Sequence, residues 1–138
     1  MVGRHGVLER SFVSSYFPRS LRAAAAIEPG VPRSLTYPYD RFGTARWRAL
    51  QPVVGAALLA FRQALPYRIE RWLARSGASA ATLHYVLCTP AVVQRCHACG
   101  AAVIAWTVDD PRVAETLSAS GIDGIITNDP RVFDLSTT

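Results

Sequence analysis

The chain contains no lysine; all fifteen of its basic side chains are arginine. Together with alanine-rich stretches such as 23–26, this reads as a GC-rich coding bias, so the net charge of +5 is weak grounds for a nucleic-acid partner. Nucleic-acid-binding surfaces gather their charge on one face among reading groups. Here the arginines run from Arg4 to Arg131, with a loose group only at Arg41, Arg46 and Arg48, and no nucleic-acid binding is expected. Long apolar runs are missing too. The longest, at 53–61, falls far short of the ~20 residues a membrane span needs. An apolar leader with a small-residue cleavage site is absent, because Met1-Val2-Gly3-Arg4-His5-Gly6 leads straight into charged residues. Cysteine is scarce and odd in number, at three. Without a leader, that predicts reduced thiols and a cytoplasmic setting.

What is present describes a punctuated globular core. Half of the chain is hydrophobic, with nine glycines and nine prolines, which argues against disorder. Its 138 residues suit one ordinary domain but are short for a complete (β/α) barrel of roughly 250.

Three strand–helix units are legible. The run Ala101-Ala102-Val103-Ile104-Ala105-Trp106-Thr107-Val108 is almost continuously apolar, as expected of a strand buried on both faces. Asp110-Pro111 then supplies a cap and a first-turn proline, and Gly121 stops the helix. Gly124-Ile125-Ile126-Thr127 reads as the next strand. Upstream, a strand at 81–85 precedes a helix opened by Thr89-Pro90 and closed by Gly100. Near the N-terminus, a strand at 11–16, a helix at 19–27 and a strand at 34–37 repeat the pattern. The middle departs from it: helical segments at 52–63 and 66–76 lie in a stretch (38–77) with no strand between them. Five strands alternating with helices predict an α/β fold with a parallel sheet, either open or most of a barrel.

Few residues declare chemistry by themselves. Cys96-His97-Ala98-Cys99 forms a C-x-x-C, yet a zinc site would need Cys88 and His84 to complete it. A redox role would be served by a helix N-terminus, whose partial positive charge stabilises thiolate, and this pair lies at a C-terminus. Val92, Val93, Cys96 and Cys99 recur at helical spacing, so the simplest expectation is buried cysteines on an apolar face. His84 lies near a strand's C-terminal end, the edge where parallel α/β folds bind ligands. Asp109-Asp110 could serve acid–base or metal chemistry, or could simply cap the following helix. Asp123 and Asp129 sit in turn contexts that need no chemistry.

One stretch carries a resemblance. His97-Ala98-Cys99-Gly100, then Ala105-Trp106-Thr107-Val108-Asp109-Asp110-Pro111, then Gly121-Ile122-Asp123-Gly124-Ile125-Ile126-Thr127-Asn128-Asp129-Pro130 resembles the closing part of the glycerophosphodiester phosphodiesterase family. Val13-Ser14-Ser15-Tyr16-Phe17-Pro18 adds a looser match, where the family usually has Ser-Phe-Asp-Pro. The resemblance implies a partial TIM-type (β/α) barrel, about the last five parallel strands, spanning 1–138 with a helical insertion around 38–77. It also implies hydrolysis of glycerophosphodiesters to an alcohol and glycerol 3-phosphate, within phospholipid metabolism. The partners implied are a small-molecule phosphodiester and a missing N-terminal half, and the cofactor a divalent cation, Ca or Mg. Trp106 and Tyr16 would line the substrate site, with His84 beside them at a strand end.

Three departures fall on that edge. Asp109 replaces the usual Asn, Asn128 replaces the usual Asp, and Tyr16-Phe17 replaces Phe-Asp. A larger departure is the family's catalytic His-Arg-Gly and metal-binding Glu-x-Asp, which this sequence lacks; Arg4-His5-Gly6 resembles the former only in scrambled order. No catalytic residue or metal ligand is therefore assigned, and the isolated chain is expected to be inactive or very weak. A non-catalytic barrel remnant that binds a ligand or partner is the alternative.

Overall fold

A computed structural model describes residues 10–39 and 51–133. The Arg4-His5-Gly6 and Arg41–Arg48 readings lie outside these described residues. Five strands, β1 (Val13–Ser15), β2 (Arg33–Tyr37), β3 (Ala80–His84), β4 (Ala102–Trp106) and β5 (Gly124–Ile125), alternate with α1 (Pro18–Ile27), α2 (Gln51–Ala64), α3 (Ile69–Ser76), α4 (Pro90–Ala98) and α5 (Pro111–Ala119). Each strand pairs in parallel with the next in sequence, giving the order β1-β2-β3-β4-β5. That order settles what periodicity left open. Doubly wound sheets reverse direction at a switch point, whereas a barrel adds each strand beside the last.

Register then sorts the side chains. Leu35, Ala81 and Val103 are aligned across β2, β3 and β4, as are Leu83, Ala105 and Ile125 across β3, β4 and β5. The β3 and β4 members pack against Ile69 and Leu73 of α3, Val92, Val93 and Cys96 of α4, and Ala114 and Leu117 of α5. The opposite face carries hydroxyls on β1, β2 and β3. There Ser34 hydrogen-bonds Thr82 at 2.6 Å, and Ser14 hydrogen-bonds Thr36. Buried hydroxyls cost little when they satisfy one another in this way.

Local chemistry explains the helix ends. The Thr89 hydroxyl accepts from the Val92 N–H, and the Asp110 carboxylate accepts from the Arg112 N–H; proline follows each cap. Gly77, Gly100 and Gly121 adopt φ of 61°, 70° and 82°, the left-handed conformation that ends α3, α4 and α5 at little steric cost.

Three expectations need correction. The β4 strand stops at Trp106; Thr107 and Val108 have left the ladder, the Trp106–Thr107 peptide is cis, and the Val108 N–H donates to the Ile126 carbonyl at 3.0 Å. Val108 is nonetheless buried, so its apolar character reports burial, not extension. The segment expected as one helix at 66–76 is a 3-10 turn, Leu65–Tyr67, followed by α3. Cys96 is buried but Cys99 is exposed, because α4 ends between them and Cys99 is its C-cap.

Candidate functional site

His84 and Trp106 are the last residues of β3 and β4 and are register partners, so their side chains emerge together at the sheet's C-terminal edge. Their rings meet edge to face, 5.6 Å between centroids at 77°. On its other side His84 stacks on Tyr85, at 4.7 Å and 27°. The Trp106 indole N–H donates to the Thr82 carbonyl at 3.1 Å, which pins the ring across the two strands. Nδ1 of His84 accepts from the Val86 N–H at 3.4 Å. The tautomer assigned from that bond carries its proton on Nε2. Burial lowers the pKa of His84, so at neutral pH this edge presents a neutral imidazole.

Tyr16 lies elsewhere on the edge. It follows β1, packs against Tyr39 at 5.2 Å, and lines a cleft of about 280 Å³ with Leu35, Tyr37 and Trp72. Of the three expected ligand-edge residues, the structure brings His84 and Trp106 into contact and sets Tyr16 beyond β2.

The neighbouring Asp109 and Asp110 have separate roles. Asp110 caps α5. Asp109 Oδ1 accepts from the Thr127 hydroxyl at 3.0 Å and the Asn128 N–H at 2.8 Å, while Oδ2 accepts from the Asn128 amide at 3.1 Å. The two departures from the family pattern are therefore partners of each other, with carboxylate and carboxamide exchanged between the β4 and β5 ends. The Asn128 backbone N–H, with the Asn128 and Thr127 side chains, lowers the pKa of Asp109. With Tyr85, Thr107, Val108, Asp110 and Val113, Asp109 borders a cleft of about 430 Å³.

At the opposite end of the strands is a feature the sequence reading missed. Oδ2 of Asp123 accepts from the Val103 N–H at 2.7 Å and contacts His97 Nε2 at 2.9 Å, and the Asp123 N–H donates to the Val103 carbonyl at 2.9 Å. Burial would raise the Asp123 pKa, but the Val103 N–H and the His97 hydrogen bond and charge outweigh it, so the net shift is downward. A signal was available: Asp123 immediately precedes β5 and His97 lies at the end of α4, so a topology drawing puts both at the same end of adjacent strands.

Among the described residues the carboxylates do not assemble a cation site. Asp109 is held by Thr127 and Asn128, Asp123 by Val103 and His97, and Asp129 by the guanidinium of Arg131 at 2.7 Å. Among the described residues no group of three or more His, Cys, Asp or Glu is placed to hold a metal ion. Cys88 and Cys96 are poor ligands as well, since burial foremost pushes both thiols up to about 12.

The all-parallel sequential sheet, with an aromatic and a histidine on its C-terminal edge, is the architecture of a (β/α) barrel segment. The sequence model of the glycerophosphoryl diester phosphodiesterase family matches residues 6–132, and the chain belongs to that family. A curated Mycobacterium tuberculosis protein named "Probable glycerophosphodiester phosphodiesterase 2" is 55% identical over 40 residues, covering 29% of this chain and 15% of that protein. Among solved structures, a glycerophosphodiester phosphodiesterase from Parabacteroides distasonis superposes with a TM-score of 0.63 at 22% identity, over 94% of this chain and 44% of its own. An Oleispira antarctica phosphodiesterase, in complex with the product sn-glycerol-3-phosphate, superposes at 0.59 with 17% identity, over 88% and 39% respectively. Identities this low speak for the fold. The chain spans less than half the length of each of these relatives.

Proposed function

We propose that these 138 residues are the C-terminal portion of a glycerophosphodiester phosphodiesterase barrel, with a helical insertion around 38–77. They supply one wall of a pocket for a phosphodiester, and an N-terminal half supplies the catalytic and cation-binding groups. Hydrolysis by the complete barrel gives an alcohol and glycerol 3-phosphate. The observation that carries this reading is the family match over residues 6–132, combined with Asp109, Asp123 and Asp129 each being committed to partners within the chain. Trp106 offers the pocket an aromatic face and Tyr16 a phenol. Neutral His84 offers an Nε2–H that can donate to a phosphate oxygen, a positioning role that needs no proton transfer. A divalent cation, bound by groups outside this chain, would neutralise phosphate charge. Among the described residues no helix is long and apolar enough to cross a membrane, and a reducing cytoplasm suits the three free thiols.

The test is hydrolysis of glycerophosphocholine with Ca²⁺ or Mg²⁺. The chain alone is expected to show no turnover above a metal-free blank. Mixing it with a polypeptide carrying the family's His-Arg-Gly and Glu-x-Asp strands should generate activity that depends on Trp106. Substantial metal-dependent turnover by the chain alone would overturn the division of labour.

A further inference from the structure

Apart from Tyr16 itself, the cleft beside that residue has walls and a charge that the phosphodiesterase reading does not use. It opens between the ends of β1 and β2 on one side and α1 and α3 on the other, and encloses about 280 Å³. Its apolar surface comes from Pro18, Leu35, Tyr16, Tyr37 and Trp72. Tyr37 and Trp72 pack at 4.8 Å and 56°, which makes a firm aromatic corner. None of its lining residues borders the cleft beside Asp109.

Beside the hydroxyls of Tyr16, Thr36 and Tyr37, the charged groups described around it are arginines. Arg75 lines the cleft, and its guanidinium engages no carboxylate among the described residues. Arg22 reaches across from α1 to donate to the Arg75 carbonyl at 2.6 Å, which brings a second guanidinium to the same helix pair. Arg68 adds a third positive charge, close enough to oppose the rise that burial imposes on the Tyr37 hydroxyl. Among the described residues no Asp or Glu lines the cleft. A concave aromatic surface flanked by arginines favours an anion attached to a flat apolar body, through charge-assisted hydrogen bonds and ring contact.

We propose that this cleft is a binding site for a small organic anion, a phosphate or carboxylate carried on an aromatic or similarly flat body. The anionic group meets Arg75 and the body lies against Tyr37 and Trp72. Nothing in this assignment depends on the chain hydrolysing a diester.

Phenyl phosphate, benzoate, benzylamine and inorganic phosphate separate the contributions, followed by NMR shifts of the Trp72 indole N–H in the full chain. Phenyl phosphate and benzoate are expected to move that resonance with millimolar or tighter affinity. Inorganic phosphate, lacking the body, and benzylamine, carrying the wrong charge, should each bind at least about tenfold more weakly. Arg75→Gln should weaken both aromatic anions by about tenfold, as expected when one charge-assisted contact is lost. Arg71→Gln, an exposed change on the same helix, should leave binding unchanged and shows that total charge is not the cause. Comparing phenyl phosphate with benzoate identifies which anion the site prefers. The proposal fails if neither aromatic anion moves the Trp72 signal by about 10 mM, if benzylamine or inorganic phosphate binds as well as they do, or if Arg75→Gln binds like the unaltered chain.

Discussion

Replacing Asp123 should loosen the junction between β4 and β5, and the structure sets the size of the effect. Asp123→Ala removes the acceptor for the Val103 N–H, which lies at 2.7 Å and is partly buried, together with the 2.9 Å contact to His97. An acceptor lost from a partly buried amide costs about 1 kcal/mol once the solvent exposure of the carboxylate is discounted. The half-exposed His97 pair adds about 0.3 kcal/mol. The sum, about 1.3 kcal/mol, corresponds to a fall in Tm of about 4–6 °C for a domain of this size. Asp123→Asn keeps an oxygen for Val103 and forfeits only charge, so about 0.5 kcal/mol, or about 2 °C, is expected. The folded-state pKa of Asp123 lies below its unfolded value. Its contribution is therefore complete above the ordinary carboxylate range and is lost as pH falls below about 4. Thermal melts and urea titrations at pH 7 and pH 3 measure this directly. The reasoning is refuted if Asp123→Ala melts within about 1 °C of the unaltered chain at pH 7, or if the gap between them does not narrow at pH 3.

The remaining predictions concern the thiols and the exchanged pair. A thiol reagent at pH 8 should label Cys99 rapidly and leave Cys88 and Cys96 untouched until denaturant is added, because the latter two are buried with thiols pushed up to about 12; native labelling of all three would contradict this. Asp109→Asn alone should speed hydrogen exchange at the Asn128 N–H several-fold, since that amide then donates to a neutral acceptor. The double change Asp109→Asn with Asn128→Asp should slow it again, by restoring one carboxylate and one carboxamide, and failure of that rescue would show that the two positions are not equivalent halves of a pair.

Much of the fold was legible because its signals are local. Thr89-Pro90 and Asp110-Pro111 start helices through contacts two or three residues away, and Gly100 and Gly121 end them through their own backbone angles. Strand ends were less legible. Val108 belongs to the core without belonging to the ladder, and apolar patterning does not distinguish those two conditions. Cys99 was misplaced for a related reason: helical spacing assigns a face but not the point at which the helix ends, and Cys99 is already its C-cap. At the candidate site, His84 and Trp106 were marked individually by their places at strand ends, yet their contact follows from the β3–β4 register, which no short window contains. The same holds for Asp109 with Asn128 and Asp123 with His97. Each residue was visible as a departure or a turn signal, while its partner lay 19 or 26 residues away.

The sequential strand order carries a consequence for how such a chain comes into being. Every ladder in this sheet joins strands adjacent in the sequence, so no pairing waits for a distant segment to be synthesised. As the chain leaves the ribosome, each new strand finds its neighbour already in place, and loop-closure entropy is met in short instalments. A break in the gene between two strand–helix units would likewise remove one seam and leave the ladders on either side intact. Stability in this architecture is thus divisible along the sequence, whereas a pocket built from strand ends all around a ring is not. On the proposed reading, the same topology that joins neighbouring strands leaves a pocket at their ends dependent on strands outside this chain.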